Sequence, residues 1–144
     1  AWACGLVRDV RYDQPAGWYR LAQAPVAIWP GGAVFARARV RGLEISRSGQ
    51  FLNDQLALAP EGGIRDDLAA PQPDTLAVAL VEGWRGEICH AALTDPAGRF
   101  RCYKIVDPSF HNWIGVALAL RGQAISDFPI CNKSFSLSYC GTDL

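Results

Sequence analysis

The chain has 144 residues, half of them apolar, and its 14 basic and 14 acidic side chains give a formal net charge of zero. That length predicts one domain able to bury roughly two-thirds of the surface its unfolded chain exposes, and the balanced charge excludes the basic field that nucleic acid or anionic lipid requires. Five cysteines are an odd set without the spacing of a secreted disulfide framework, so reduced thiols are expected, and no apolar run approaches the ~18 residues of a membrane span. Residues 1–31 read as loop, because Pro15, Gly17, Pro25, Pro30 and Gly31 interrupt any long helix. Trp2, Trp18, Trp29, Tyr12 and Tyr19 are expected to pack over a core, the alternative being aromatic anchors for another subunit.

Residues 32–59 read as the main helix. Ala38, Ile45 and Leu52 recur every seven positions, with Val34, Phe35 and Leu56 nearby, giving one apolar stripe. Arg37, Arg39, Arg41, Arg47 and Glu44 lie elsewhere, the arginines most simply on a solvated face. Gly42 and Gly49, also seven apart, each cost about 1 kcal/mol against Ala inside a helix. They imply either close helix–helix contact or a weak helix held by packing. Pro60 to Asp74 is polar and rich in Gly and Pro, a connector closing at residue 75.

Residues 76–107 read as a β-hairpin. Asp95-Pro96-Ala97-Gly98 has the chemistry of a type I turn, and Phe100, Cys102, Tyr103, Ile105 and Val106 make an extended return. Strand alternation would put Arg85, Glu87 and Cys89 on one face and Gly86, Ile88 and His90 on the other. Residues 108–144 follow as short helices and a tail: His111-Asn112 capping a helix from Trp113 to Arg121, closed by Gly122, and a second starting at Ser126 with Pro129 in its first turn. The fold class is therefore α+β, one main helix plus short helices around a central antiparallel hairpin.

The stretch Glu82-Gly83-Trp84-Arg85-Gly86-Glu87-Ile88-Cys89-His90, continued by Tyr103-Lys104-Ile105 and Pro108-Ser109-Phe110, resembles the E-x-x-R-G-E…Y-K/R-I-x-x-P-S-F segment of the large subunit shared by respiratory complex I (the NuoD-type subunit) and membrane-bound nickel–iron hydrogenases. Ala3-Cys4-Gly5 through Asp9 and Arg11 looks like the family's R-A-S-G-x-x-x-D-x-R, and Gly32-Ala33-Val34-Phe35-Ala36-Arg37 like its G-D-V-Y-x-R helix start. Asp127 to Leu144 lines up with the family's C-terminal end. Trp84, the Phe110–Trp113 run and the Asn132–Phe135 run look closest to hydrogenase-like and formate-hydrogenlyase-like members. The resemblance covers nearly the whole chain, begins mid-subunit, and implies the C-terminal portion of a longer protein, natural or truncated. The chain begins with Ala rather than Met, and no signal peptide is expected from its first residues.

By that resemblance Arg85 and Glu87 line a former metal cavity close to where quinone or hydrogen chemistry occurs. Physically, an arginine and a carboxylate in a partly desolvated cleft can hold and relay a proton; the plainer reading is a structural ion pair tying the hairpin down. His90 matches the histidine of the hydrogenases' R-G-x-x-G-H, with Cys89 in the glycine's place, although a lone strand histidine is more often a satisfied structural residue. The family's D-P-C-x-x-C thiolates fall on Ser138 and Gly141, so the positions that would hold the cofactor carry a hydroxyl and no side chain. Thiolates are what such a site needs, so no metal is expected. Cys89, His90 and Cys102 raise the thought of zinc, but no C-x-x-C or fourth ligand accompanies them. Gly31-Gly32 and Gly62-Gly63 do not form a dinucleotide fingerprint, so NAD, if used, would bind a different subunit.

Two functions follow from the resemblance. One is a wall of the cavity where electrons from iron–sulfur clusters in a partner small subunit reach quinone or a related acceptor, in a membrane-bound complex that this chain joins peripherally on the cytoplasmic face without binding a cofactor itself. The other is a non-catalytic, hydrogenase-derived scaffold or docking domain. No turnover is expected from the isolated chain.

Overall fold

The computed structural model describes residues 1–63 and 65–140. It is an α+β arrangement in which one long helix and a three-stranded antiparallel meander are joined by short helices. The elements are α1 (Val10–Asp13), α2 (Val34–Ala57), β1 (Leu76–Gly83), β2 (Gly86–Thr94), β3 (Phe100–Val106), α3 (Ser109–Ala119) and α4 (Phe128–Phe135), with single 3-10 turns at Trp2–Cys4, Gly17–Arg20 and Ile125–Asp127. Sheet order is β1-β2-β3. Residues 1–31 thus hold more local structure than a proline count suggests, because the Asp9 carboxylate accepts from Arg11 N (2.9 Å) and nucleates the one-turn helix α1.

The expected hairpin is one half of the meander. Asp95 Oδ1 accepts from Ala97 N and Arg99 N (2.8 and 2.9 Å), and Gly98 N closes the turn on Asp95 O at 2.9 Å with φ +74°. The other half joins β1 to β2 through Trp84 and Arg85 alone, with Gly83 paired to Gly86. This turn lacks the Asn-Gly or Asp-Gly signature of two-residue loops. Neither Trp84 nor Arg85 has positive φ; Gly86, at φ +130°, takes the unusual conformation instead. Arg85 therefore sits in a turn, not in a strand, and does not share a strand face with Glu87 and Cys89.

Helix α2 presents the reverse of the expected face to the rest of the chain. Its buried residues are Ala36, Val40 and Glu44, whereas Phe35, Ala38, Ile45, Leu52 and Leu56 along the apolar stripe are exposed. Arg37 and Arg41 are half-buried against α4, not on a solvated face. The reason is polar: α2 is drawn in by charge-assisted hydrogen bonds to backbone carbonyls, which are stronger than neutral ones. The buried apolar residues among those described are Val10, Ala24, Ala27, Ala36, Val40, Val116 and Cys131, small side chains that make a thin core. The N-terminal aromatics lie over α2 with one side open: Trp18 Nε1 donates to Gln55 Oε1 (2.7 Å), Tyr19 stacks on Phe51, and Trp29 meets Phe35 edge-on.

At the other end, α3 starts at Ser109, ahead of the expected His111-Asn112 cap, because Asp107 Oδ1 accepts from Ser109 N at 2.7 Å and Pro108 suits a helix start. Gly122 follows its end at φ +72°. Helix α4 begins with Pro129 in its first turn, as its sequence indicates, and runs on through Phe135 into what reads as tail. Ser136 stops it in the left-handed conformation (φ 54°, ψ 42°), a position usually given to glycine.

Candidate functional site

The Trp84-Arg85 turn, the end of α4, one face of α2, the start of α3 and the N-terminal segment enclose a cleft of about 880 Å³. Its basic wall is built on the left-handed stop at Ser136. Arg41 donates to Ser134 O (2.7 Å) and to Phe135 O, and Arg85 Nε donates to Ser136 O at 2.6 Å. Three successive carbonyls at the negative end of a helix thus receive two guanidinium groups. Arg37, one turn before Arg41, donates to Ser134 Oγ at 2.8 Å and lies 4.1 Å over the Phe135 ring; Arg41 lies 5.5 Å over Trp84. Burial, first, and then Arg85 and Arg37 push the Arg41 pKa below the usual guanidinium value. Asn112 Nδ2 fixes the turn by donating to Arg85 O at 2.8 Å. Arg85, anchored through Nε, lines the cleft.

The acidic wall is built on α1. Asp9, wholly buried, receives Arg11 at both carboxylate oxygens (Nη2 to Oδ2, 2.6 Å), and Arg11 reaches Glu44 Oε2 at 3.2 Å. Glu44 also accepts from Ala27 N. The Asp9 hydrogen bond is the largest contribution raising the Arg11 pKa. Glu82 Oε2 accepts from Val10 N at 3.0 Å, and β1–β2 register sets Glu82 opposite Glu87. Burial is the main reason the Glu82 pKa is raised above the ordinary glutamate value; Asp9 and Glu87 add to it, while Val10 N and Arg11 oppose it.

The sign of that shift gives a testable pH dependence. A carboxylate whose folded pKa exceeds its unfolded value stabilises the fold fully below the unfolded pKa, near 4.3, and that contribution is lost as pH rises through the raised folded value. Glu82→Gln keeps the acceptor for Val10 N and removes the titration. Urea midpoints from pH 4 to 8 should therefore fall for the wild type relative to the variant; parallel profiles would contradict the assignment.

The residues singled out from sequence are placed as follows. Arg85 and Glu87 both line the cleft, and Glu87 is exposed. They form no ion pair with each other: the three ion pairs among the described residues are Arg11 with Asp9, Arg11 with Glu44, and Arg99 with Asp95. His90 lies outside the cleft on β2, its Nδ1 2.7 Å from Tyr103 Oη. Ser138, half-buried, donates its backbone N–H to Ser109 Oγ at 3.0 Å; Gly141 lies outside the described residues. Cys89 pairs with Val106 and Cys102 with Leu93, four residues apart along β2 or ~13 Å. No group of three or more His, Cys, Asp or Glu side chains gathers at metal-binding distance among the described residues. Sequence reasoning missed Arg37, Arg41 and Glu44 as site residues, although their i, i+4, i+7 spacing places all three on one helical face with Val40.

No family model matches the chain. Curated relatives do. The chain is 30% identical over 130 residues to the carbon monoxide-induced hydrogenase of Rhodospirillum rubrum, covering 90% of the chain and 36% of that protein. It is 28% identical over 138 residues to hydrogenase-4 component G of Escherichia coli (strain K12), covering 96% of the chain and 25% of the relative. It is 26% identical to one subunit of the NADH-quinone oxidoreductase of Anaplasma phagocytophilum (strain HZ), covering 95% of the chain and 42% of the relative. Over nearly its whole length the chain is similar to part of hydrogenase-like, NuoD-type large subunits. It spans 25% to 42% of the length of these relatives. No helix among the described residues is long and apolar enough to cross a membrane.

Proposed function

We propose that the chain forms one wall of the electron-acceptor cavity of a hydrogenase-like oxidoreductase, at the position where nickel-containing members hold their metal. The observation that carries this reading is the meeting, in one cleft, of the Glu82–Glu87 ribbon with the turn at Ser136, held by Arg41 and Arg85. The names of the relatives, hydrogenases and NADH-quinone oxidoreductases, supply the redox class. Residues matching the nickel ligands do not fit that metal. Ser138 offers a hydroxyl that stays protonated near neutral pH, Gly141 offers nothing, and Cys140 is exposed and one position out of register. The reading is therefore of a cavity that has lost its nickel and serves quinone or a related acceptor.

In that cavity the outer edge of Arg85 binds and polarises an acceptor oxygen as negative charge develops on it, with Arg41 holding the turn behind it. Glu82, its carboxylate partly desolvated, and Glu87, facing it across the ribbon, hold the proton that follows the electron. Iron–sulfur clusters in a partner small subunit supply the electrons, within a membrane-bound complex that this chain joins peripherally on the cytoplasmic face. The test is purification of that assembly through a tag on this chain, followed by quinone reduction and metal analysis. Co-purified iron–sulfur protein with acceptor reduction and no stoichiometric nickel supports the reading. An intact assembly that never turns over would establish the scaffold alternative instead.

A further inference from the structure

One face of α3 touches every part of the cleft's basic wall. Asp107 and Pro108 alone separate β3 from α3, so the sheet fixes where the helix begins. Val106 pairs with Cys89 on β2, and a Cβ added at Gly86 would meet Pro108 Cβ at 3.4 Å. Ser109, Asn112 and Gly115 then follow at three-residue spacing, which keeps them on neighbouring rows of one helical face. Ser109, wholly buried, accepts from Ser138 N through Oγ at 3.0 Å. Asn112 donates through Nδ2 to Arg85 O at 2.8 Å. At Gly115 an added Cβ would lie 3.3 Å from Phe135 Cε1, so the helix backbone closes on the ring that Arg37 covers.

We infer that this face of α3 is the template that sets Arg85 against the segment from Phe135 to Ser138, and that Asn112 is the positioning residue for Arg85. The inference rests on the redox reading of the cleft and adds a residue to it. Arg85 is clamped at two separate ends: its side chain reaches Ser136 O through Nε, and its own carbonyl receives Asn112. Either bond alone leaves the guanidinium free to swing about the other. Both partners stand on α3 or on what α3 holds, since Ser109 ties down Ser138 just beyond the carbonyl that Arg85 uses.

The turn cannot hold itself. Trp84 and Arg85 carry no turn signature, and Arg41 and Arg85 converge on the adjacent carbonyls of Phe135 and Ser136. Like charges therefore repel across one helix end, and the turn needs a restraint on its own side. Asn112 supplies it. Helix propensity does not explain the residue, because Asn is among the weaker helix formers. In a helix its side chain usually competes for nearby backbone groups; here it bonds a carbonyl 27 positions away. The backbone N–H of Asn112 donates to Pro108 O at 3.0 Å, so the donor is carried on a closed helical turn.

The test uses the assembly purified through this chain, with a short-chain quinone as acceptor and backbone amide exchange read by mass spectrometry. Asn112→Ala should lower kcat by about 10- to 100-fold, the effect of misplacing a reacting group by roughly 1 Å, with KM changed less than about threefold. Amides of residues 84–87 should exchange faster while those of α3 do not, since Ala strengthens the helix. Adding Asn112→Ala to Arg85→Ala should slow turnover by no more than about twofold, because a residue that acts through Arg85 has nothing left to position. Ala117→Gly, on the exposed side of α3, should lower the urea midpoint and leave kcat within about twofold, since it weakens the helix without touching the template. Wild-type turnover in Asn112→Ala overturns the inference when Arg85→Ala is slow, as does a double variant slowed by the product of the two single effects. Unchanged exchange at residues 84–87 overturns it whatever the turnover. Arg85→Ala at the wild-type rate, or an assembly that never turns over, overturns the redox reading and this inference with it; that failure is told apart because Asn112→Ala would still speed exchange in the turn.

Discussion

Replacing Asp9 with alanine is expected to cost about 3 kcal/mol of folding stability, seen as a urea midpoint lower by ~1.5 M. Asp9 is wholly buried, and its carboxylate accepts from Arg11 N, Nε and Nη2. Removing it leaves a largely buried guanidinium with the 3.2 Å contact to Glu44 as its remaining ion pair and the Trp2 ring 5.9 Å away. It also uncaps α1, and a lost cap alone costs about 1 kcal/mol. With α1 loosened, Val10 N no longer meets Glu82, so the acidic wall of the cleft loses its anchor. Asp9→Asn should fall between, since an amide still caps the helix and accepts from Arg11 without the charge. Combining Asp9→Ala with Arg11→Met should cost less than the two single changes added together, because no cation is then left without its main partner. A midpoint within ~0.3 M of the wild type for Asp9→Ala would show that the network carries little of the fold's stability.

The thinness of the apolar core explains why a polar network can matter so much here. Large hydrophobic residues dominate the exposed set, from Leu6 and Leu21 to Ile114, Ile125 and Tyr139, while the buried set is mostly alanine and valine. In an ordinary domain of this length the stripe Ala38-Ile45-Leu52 would be the core-facing side of α2. Seven-fold recurrence showed that α2 is a helix with an apolar face, and the structure agrees on the helix. It could not show which face meets this chain, because periodicity records an apolar surface and not its partner. The polar contacts that decide the matter join residues more than ninety positions apart, such as Arg37 with Ser134 and Arg41 with Phe135.

The same contrast holds for the sheet and the site. The Asp95–Gly98 turn was legible because Asp, Pro and Gly each serve a distinct position in it. The Trp84-Arg85 turn was not, since neither residue marks a turn, and the alternation assumed through it gave Arg85 a strand face it does not have. Arg85 and Glu87 were found by resemblance, and the structure brings both to the cleft; His90 came by the same route, and its ring meets Tyr103 elsewhere. Glu82 stood inside the motif without being singled out. Nothing in a strand's sequence says that one carboxylate will be half-buried beneath a helix formed some seventy residues earlier.

Arg85→Ala in the assembled complex is expected to lower the rate of acceptor reduction by roughly 10²- to 10³-fold, the usual effect of removing one oriented donor from a site where negative charge develops. The geometry that motivates this is the division of labour within one residue. Nε donates to Ser136 O, the backbone carbonyl accepts from Asn112 Nδ2, and the residue lines the cleft. A purely structural arginine would show its loss as stability, since a hydrogen bond to a charged group contributes about 1.5–3 kcal/mol. Here that loss is partly offset, because Arg41 no longer faces a neighbouring positive charge. Arg85→Lys separates the roles: it keeps the charge but cannot hold Ser136 O and present a planar fork at once. Its urea midpoint should stay near that of the alanine variant, while turnover should recover only in part. Equal turnover in wild type, Lys and Ala variants, within an assembly of unchanged composition, would mean that Arg85 holds a turn and nothing more.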